Sequence, residues 1–300
     1  MKKNILIVGA TGFLGHYFAI KCIKNNYHVT SLSRNKPNKK RYIKKVKYLY
    51  ADISKKKNLR NKLDKKFDYI VNFAGDVDHH GENTFKSHFN GCKNLVDIFI
   101  DRKIDKFIQI GSSVEYANQK VPHLEKKIQP KLSEVKSIYA RAKLSSSKYL
   151  LDNFFSSQFP VVIIRPYLIY GPGQDKNRLI PFVIKNCLDN KSFACSSGKQ
   201  YRDFVYIDDA IDLIFKALKN KNVIGEIFNL CSGIPVKVGD VINLIRNEIK
   251  KGKPRFGQVP FRKDEVIKFY GNPKKSIKIL NYRPKVNLLK GLRKTIRSYL

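Results

Sequence analysis

Ile5-Leu6-Ile7-Val8 is an unbroken apolar run that leads directly into Gly9-Ala10-Thr11-Gly12-Phe13-Leu14-Gly15. A short apolar run ending in glycine reads as a strand buried on both faces, the kind found in a parallel sheet covered by helices. The glycines permit a tight turn into a helix and let backbone N–H groups approach an anion at the helix N-terminus. That order of parts makes Gly9, Thr11, Gly12, Phe13, Leu14 and Gly15 candidate contacts for the pyrophosphate of a dinucleotide. The spacing is Gly-x-x-Gly-x-x-Gly, not the Gly-x-Gly-x-x-Gly of many dinucleotide sites.

The pattern that begins there continues. Strand-like runs fall at Asn4–Val8, His28–Leu32, Val46–Tyr50, Tyr69–Asn72, Lys106–Ile110 and Val161–Ile164. Helical candidates lie between them at Phe13–Asn25, Lys55–Leu63, Thr84–Asp101 and Ser137–Phe155. Such alternation predicts an α/β fold, a doubly wound parallel sheet with helices on both faces. After Arg165 the elements shorten, and Gly and Pro punctuate 165–173, 252–260 and 271–273. The expected organisation is a dinucleotide-binding domain over 1–165 and a smaller α/β substrate-binding lobe over 166–300. Some segments of the second part are expected to return to the first sheet, with a cleft between the lobes.

Composition narrows the function. Hydrophobic residues make up 42% of 300, an ordinary globular share. No apolar run reaches the roughly 20 residues that cross a bilayer, and the glycine-rich sequel to Ile5–Ala10 makes a poor signal peptide. A cytoplasmic enzyme is the expectation. Five cysteines, Cys22, Cys92, Cys187, Cys195 and Cys231, form no Cys-x-x-Cys, which fits buried free thiols rather than disulfides or zinc. The net charge of +36 raises nucleic-acid binding as an alternative. The basic residues are scattered, however, and the longest runs, Lys55-Lys56-Lys57 and Lys39-Lys40-Arg41, are short. No sequence-specific nucleic-acid partner is expected, while the charge would draw an anionic substrate.

The second strand ends Ser31-Leu32-Ser33-Arg34, and no acid stands between Tyr27 and Tyr50. An acid there would hold the ribose 2′-hydroxyl of NAD, whereas a basic residue accommodates the 2′-phosphate of NADP. Arg34, with Lys36 nearby, favours NADP and leaves NAD open. Asp52-Ile53 follows the third strand, where a carboxylate could meet the adenine amino group. Phe73-Ala74-Gly75 follows the fourth, where small residues let backbone pass close to a cofactor.

Tyr139 and Lys143 stand four apart on a predicted helix and so share a face. The lysine can favour the phenolate electrostatically, which suits proton transfer to or from a sugar oxygen. The preceding strand ends Ile110-Gly111-Ser112-Ser113, which brings a hydroxyl to the edge of the sheet where doubly wound folds bind ligands.

With these residues the chain resembles the extended short-chain dehydrogenase/reductases, nucleotide-sugar epimerases, dehydratases and reductases on a Rossmann-type sheet. The resemblance runs nearly end to end. It rests on Gly9–Gly15, Asp52-Ile53, Gly111–Tyr116, Tyr139 with Lys143, Arg165-Pro166, Tyr170–Gly173, Tyr201–Asp209 and Phe228–Gly233. It implies Tyr139 as acid/base, Lys143 as its partner, and Ser112, four residues before Tyr116, as the catalytic serine beside Ser113. It implies Arg202 and Arg262 as contacts to a nucleotide diphosphate. It also implies a homodimer through the helices at Thr84–Asp101 and Ser137–Phe155.

Departures shape the reading. Sugar 4,6-dehydratases of this family carry Asp-Glu directly after the catalytic residue, where this chain has Ser113-Val114, so elimination of water is disfavoured. Glu115 is expected to point elsewhere. Leu168 stands where many relatives have Asn. His79-His80 reads as a solvated loop pair rather than a metal site. A 4-keto-6-deoxyhexose 4-reductase using NADPH is the first expectation, supported by a likeness of Phe256–Glu265 to that subgroup. A UDP-hexose 4-epimerase with bound NAD is the second. A non-catalytic NADP-binding or RNA-binding member is the third, against which Ser112, Tyr139 and Lys143 together speak.

Overall fold

The computed structural model describes residues 2–300 except Asn58, 76–81, Lys127, Ile128, Lys263 and Asp264. In chain order the elements begin β1 (Asn4–Val8), α1 (Phe13–Lys24), β2 (His28–Ser33), β3 (Lys47–Tyr50), α2 (Leu59–Lys62) and β4 (Tyr69–Asn72). They continue with α3 (Glu82–Phe85), α4 (Gly91–Phe99), β5 (Lys106–Ile110), α5 (Ile138–Ser157), β6 (Val161–Pro166), β7 (Leu168–Tyr170) and α6 (Leu179–Leu188). The remainder are β8 (Ser192–Ala194), β9 (Tyr201–Tyr206), α7 (Ile207–Lys219), β10 (Ile227–Leu230), β11 (Pro235–Lys237), α8 (Val238–Ile249), β12 (Lys253–Arg255), β13 (Lys268–Phe269), α9 (Lys274–Leu280) and α10 (Leu288–Arg297).

The chain divides into two compact units, one of 1–118, 125–165 and 211–228, the other of 119–124, 166–210 and 229–300. The first unit carries a sheet in the order β10-β6-β5-β4-β1-β2-β3, with parallel pairing from β6 through β3. This is the doubly wound order, whose switch point lies between β1 and β4. The predicted α/β architecture is thus the one the chain adopts. Its core follows from the apolar runs: Ile5, Leu6, Ile7, Ile70, Val71, Phe107, Ile108 and Val161–Ile164 are all 0% exposed.

Some boundaries differ from expectation for physical reasons. The helix expected over Lys55–Leu63 shrinks to Leu59–Lys62, because among the described residues of that span only Leu59 and Leu63 are buried while the adjacent lysines repel one another. The helix expected over Thr84–Asp101 is built from α3, a wide π-helical turn at Lys86–Asn90, and α4. The segment 211–228, with most of α7 and the start of β10, joins the first unit, and 119–124 joins the second.

In the second unit β9 pairs with β7 and β13 in parallel and with β11 antiparallel, and β12 pairs with β8. Helix α6 packs on α8, and α10 packs on α8 and β9.

Candidate active site

The loop after β1 and the loop after β4 meet at the switch point. Gly9 adopts φ +87°, and a Cβ there would lie 3.1 Å from the Ala74 nitrogen. A Cβ at Gly15 would lie 2.3 Å from the Gly9 carbonyl oxygen, so only glycine lets α1 start this close to the turn. No side chain caps α1 at Gly12, which leaves its first N–H groups open to an anion. Asn72 shapes the second loop: its Oδ1 accepts from the Ala74 N–H at 3.0 Å, and its Nδ2 donates to Gln109 at 2.9 Å. Phe73 packs its ring 5.3 Å from Phe18. These are the features a dinucleotide needs: a glycine cradle, an uncapped helix end and backbone in close approach.

The remaining cofactor candidates are positioned as follows. Asp52 accepts from the Ser54 N–H (2.9 Å) and hydroxyl (2.8 Å), both on Oδ1, so it closes a local turn with one oxygen. Ile53 is buried, and its carbonyl accepts from Asn94 at 2.8 Å. Arg34 is exposed just past β2. Sequence reasoning missed Arg41, whose Nη1 donates to the Thr11 carbonyl at 2.9 Å and so lays a guanidinium against the glycine loop. The only sequence signal was the basic run Lys39-Lys40-Arg41. Burial, aided by the Arg41 cation, lowers the nearby His16 imidazole below its ordinary pKa.

Ser112 follows β5 and opens a 3₁₀ turn over Ser113–Tyr116. Its Oγ accepts from the Val114 N–H at 3.4 Å, and its own N–H donates to Glu115 Oε1 at 2.7 Å. Both Ser112 and Ser113 are buried. Helix α5 starts where Ser137 caps the Ala140 N–H at 3.1 Å, which sets Tyr139 in the first turn, half-buried, and Lys143 one turn on, buried. The Lys143 ammonium sits 5.8 Å from the centroid of the Tyr139 ring and donates to the Ile110 carbonyl at 2.8 Å. The fold therefore brings Lys143 to Tyr139 and to the strand end two residues before Ser112. Burial pushes the Lys143 pKa down to about 8, opposed chiefly by the Glu115 carboxylate.

His88 completes the setting and carried no sequence signal. Its ring meets Tyr139 edge-on at 5.1 Å. A Cβ on Gly75 would fall 1.7 Å from that imidazole, so Gly75 makes room for His88.

In the second unit Arg202 is largely committed to protein partners. Its Nη1 donates to the Tyr201 and Val266 carbonyls, each at 2.8 Å, and its Nη2 pairs with Glu265. Arg262 is exposed in the loop after β12, and Leu168 is 43% exposed on β7. His79 and His80 lie outside the described residues. Among the described residues no cluster of His, Cys, Asp or Glu could hold a metal ion, and no helix is long and apolar enough to cross a membrane. All five cysteines are free and buried. A groove of about 900 Å³ at the opposite, N-terminal ends of β1 and β2 is lined by Lys2, Lys45, Lys47, Lys65 and Lys66 among others. None of the candidate site residues lines it.

The chain is similar to known proteins over nearly its whole length. The dTDP-D-glucose 4,6-dehydratase of Homo sapiens is 26% identical over 325 residues, covering 99% of this chain and 90% of that protein. The UDP-glucose 4-epimerase of Thermotoga maritima, solved with UDP-glucose, superposes with a TM-score of 0.90 at 22% identity, over 99% of this chain and 98% of its own. The UDP-glucuronic acid 4-epimerase of Bacillus cereus, solved with UDP-glucuronic acid and NAD, superposes with a TM-score of 0.88 at 25% identity, over 98% of each chain. Residues 5–231 match the model of the NAD dependent epimerase/dehydratase family, and the chain belongs to that family.

Proposed function

We propose that this protein is an NADP(H)-linked oxidoreductase of nucleotide sugars, a 4-keto-6-deoxyhexose 4-reductase. The observation that carries the reading is the ligand edge of β2. No carboxylate follows Ser33 there, whereas Arg34 does, and Arg41 reaches the Thr11 carbonyl of the glycine loop. Two guanidinium groups suit a 2′-phosphate and leave the hydroxyl of NAD without its usual acceptor.

The nicotinamide cofactor, when bound, supplies the hydride. The chain's own residues handle the oxygen. Tyr139 gives its phenolic proton to the C4 oxygen as the carbonyl becomes an alcohol, and Ser112 donates a hydrogen bond to the same oxygen. Lys143, with one N–H on Ile110, has further donors for a ribose hydroxyl and stabilises the phenolate left on Tyr139. In the second unit Arg262, with Arg202, takes the role of diphosphate contact. Ser113 and Val114 offer neither acid nor base for removing water.

A second reading, a 4-epimerase retaining NAD, is favoured by the NAD in the Bacillus cereus relative. One experiment separates the two: NADPH and NADH are each offered with a panel of nucleotide 4-keto-6-deoxyhexoses, and UDP-hexoses are offered without added cofactor. Oxidation of NADPH with loss of the ketone is expected. Epimerisation of a UDP-hexose without net cofactor turnover would hand the assignment to the second reading. Arg34→Ala and Arg41→Ala should each weaken NADPH, not NADH, by about 1.5–3 kcal/mol, the worth of a charge-assisted hydrogen bond. Equal affinity of the unaltered protein for both cofactors would remove the basis for NADP. Light scattering at micromolar concentration tests the symmetric homodimer through α4 and α5 that goes with either reading.

A further inference from the structure

Three elements of the candidate site meet at one carboxylate that the chemistry above does not use. Glu115 is 0% exposed. Its Oε1 accepts from the Ser112 N–H at 2.7 Å. Its Oε2 accepts from the Ser147 hydroxyl at 2.6 Å and from Arg165 Nε at 2.9 Å, with Arg165 Nη2 at 2.8 Å. Ser112 ends β5, Ser147 is on α5, and Arg165 is on β6. Tyr139, Lys143 and Ser147 stand four residues apart in turn, so they share one face of α5.

A glutamate three residues after a serine is an ordinary helix-start device, and normally it sits in solvent. This one is buried, and three further features separate it from a simple cap. Its charge is met by a guanidinium that is itself 0% exposed and stacks 4.5 Å over the Tyr116 ring. Arg165 is held in turn by Gln129. A Cβ at Gly111 would lie 2.3 Å from Glu115 Oε1, so the residue before Ser112 must be glycine for the carboxylate to approach. Replacing a buried ion pair by apolar residues often leaves stability unchanged or raised, so stability alone gives no reason for this one.

We propose that Glu115 is a positioning residue: held by Arg165, it ties the Ser112 backbone to the Tyr139–Lys143 face of α5 and so sets where the serine hydroxyl meets the reacting oxygen. The inference rests on the reading of Ser112 given above. A misplacement of about 1 Å in such a group costs roughly 10²-fold in rate, while substrate and cofactor affinity, set by other residues, stay put.

The test uses two double variants, so that no buried cation is orphaned. Glu115→Leu with Arg165→Met removes the acceptor for the Ser112 N–H, whereas Glu115→Gln with Arg165→Met keeps one. The probe is whichever nucleotide hexose of the panel above is turned over, with Ser112→Ala measured alongside. The Leu/Met variant should lose about 10–100-fold in kcat with KM and NADPH affinity held, and the Gln/Met variant should recover most of that loss. Amide-resolved hydrogen exchange gives a readout without turnover. The Ser112 amide should be strongly protected in the unaltered protein, and should exchange at least roughly 10-fold faster in Leu/Met. A folded Leu/Met variant with full kcat and a protected Ser112 amide overturns the inference. If Leu/Met does not fold, the unaltered protein decides, because an unprotected Ser112 amide there overturns it equally. A silent Ser112→Ala would instead remove the parent reading, and a costly Ser112→Ala beside a silent Leu/Met would remove this inference alone.

Discussion

Strand β5 has a buried lysine at each end, and the two are placed for different work. At its start Lys106 is 3% exposed and turns into the C-terminus of α7, donating to the carbonyls of Ala217 (2.8 Å), Leu218 (3.0 Å) and Asn220. At its end Lys143 is 4% exposed and donates to the Ile110 carbonyl alone among the described residues. Burial pushes both pKa values down to about 8. An ammonium has three N–H donors. Lys106 spends all three on carbonyls a helix end leaves unsatisfied, so it is finished as a structural group. Lys143 spends one and faces Tyr139, so it retains capacity for a ligand. Equal burial therefore says nothing about role, and the count of satisfied donors does.

The largest expected effect lies beside Lys143. Tyr139→Phe keeps the ring and removes the proton, and should lower kcat by about 10²–10⁴-fold with cofactor binding retained. Near-full turnover would mean that the C-terminal end of β5 is not the working end. Methionine at each lysine should then cross over. Lys143→Met should cost on the order of 10²-fold in kcat/KM without loss of stability. Lys106→Met strands buried carbonyls, and should cost about 1–3 kcal/mol of stability with kcat unchanged. Denaturant melts and steady-state rates on the pair decide it, and matching profiles for the two variants would dissolve the contrast.

The same contrast explains what could be read in advance. β1, the glycine turn, α1 and the Tyr139–Lys143 face depend on short spacings, and apolar runs and glycines declare them directly. β1, β4 and β5 keep the expected bounds because each is a buried run with a polar or glycine stop. Glu115 was legible only as a departure from the dehydratase pattern, since its partners Ser147 and Arg165 lie 32 and 50 residues on. Lys106 reads as one lysine among many until α7 returns more than 100 residues later. His88 and Arg41 are of the same kind, placed by a π-helical turn and by a short 3₁₀ turn over Lys39–Arg41, neither of which periodicity marks. Arg202 was legible as a motif residue, but its pairing with Glu265 was not, because that contact joins β9 to a separate loop.

A further effect is expected in stability, and it isolates Lys143 from its own chemistry. Its pKa in the folded chain is about 8 against an ordinary 10.5. Below pH 8 the lysine is charged in both folded and unfolded chains, and the full penalty for burying the charge is present. Between pH 8 and 10.5 the unfolded chain binds more protons at this site, so this contribution to stability rises with pH. Above 10.5 both forms are neutral and the penalty is gone. Each tenfold loss of proton affinity on folding corresponds to about 1.4 kcal/mol, so the penalty is on the order of 3 kcal/mol, less whatever the bond to Ile110 returns. Lys143→Met lacks the titration altogether. The variant should therefore be the more stable protein at pH 7, with its advantage shrinking steadily between pH 8 and 10.5. Denaturant midpoints for both proteins across that range measure the difference directly, and titrating groups remote from Lys143 cancel in it. A bound nicotinamide cofactor should flatten the curve, because a ribose hydroxyl on the spare donors favours the ammonium and raises the folded pKa. A stability difference independent of pH without cofactor would mean that folding leaves the Lys143 pKa unshifted, and that its burial carries no charge penalty.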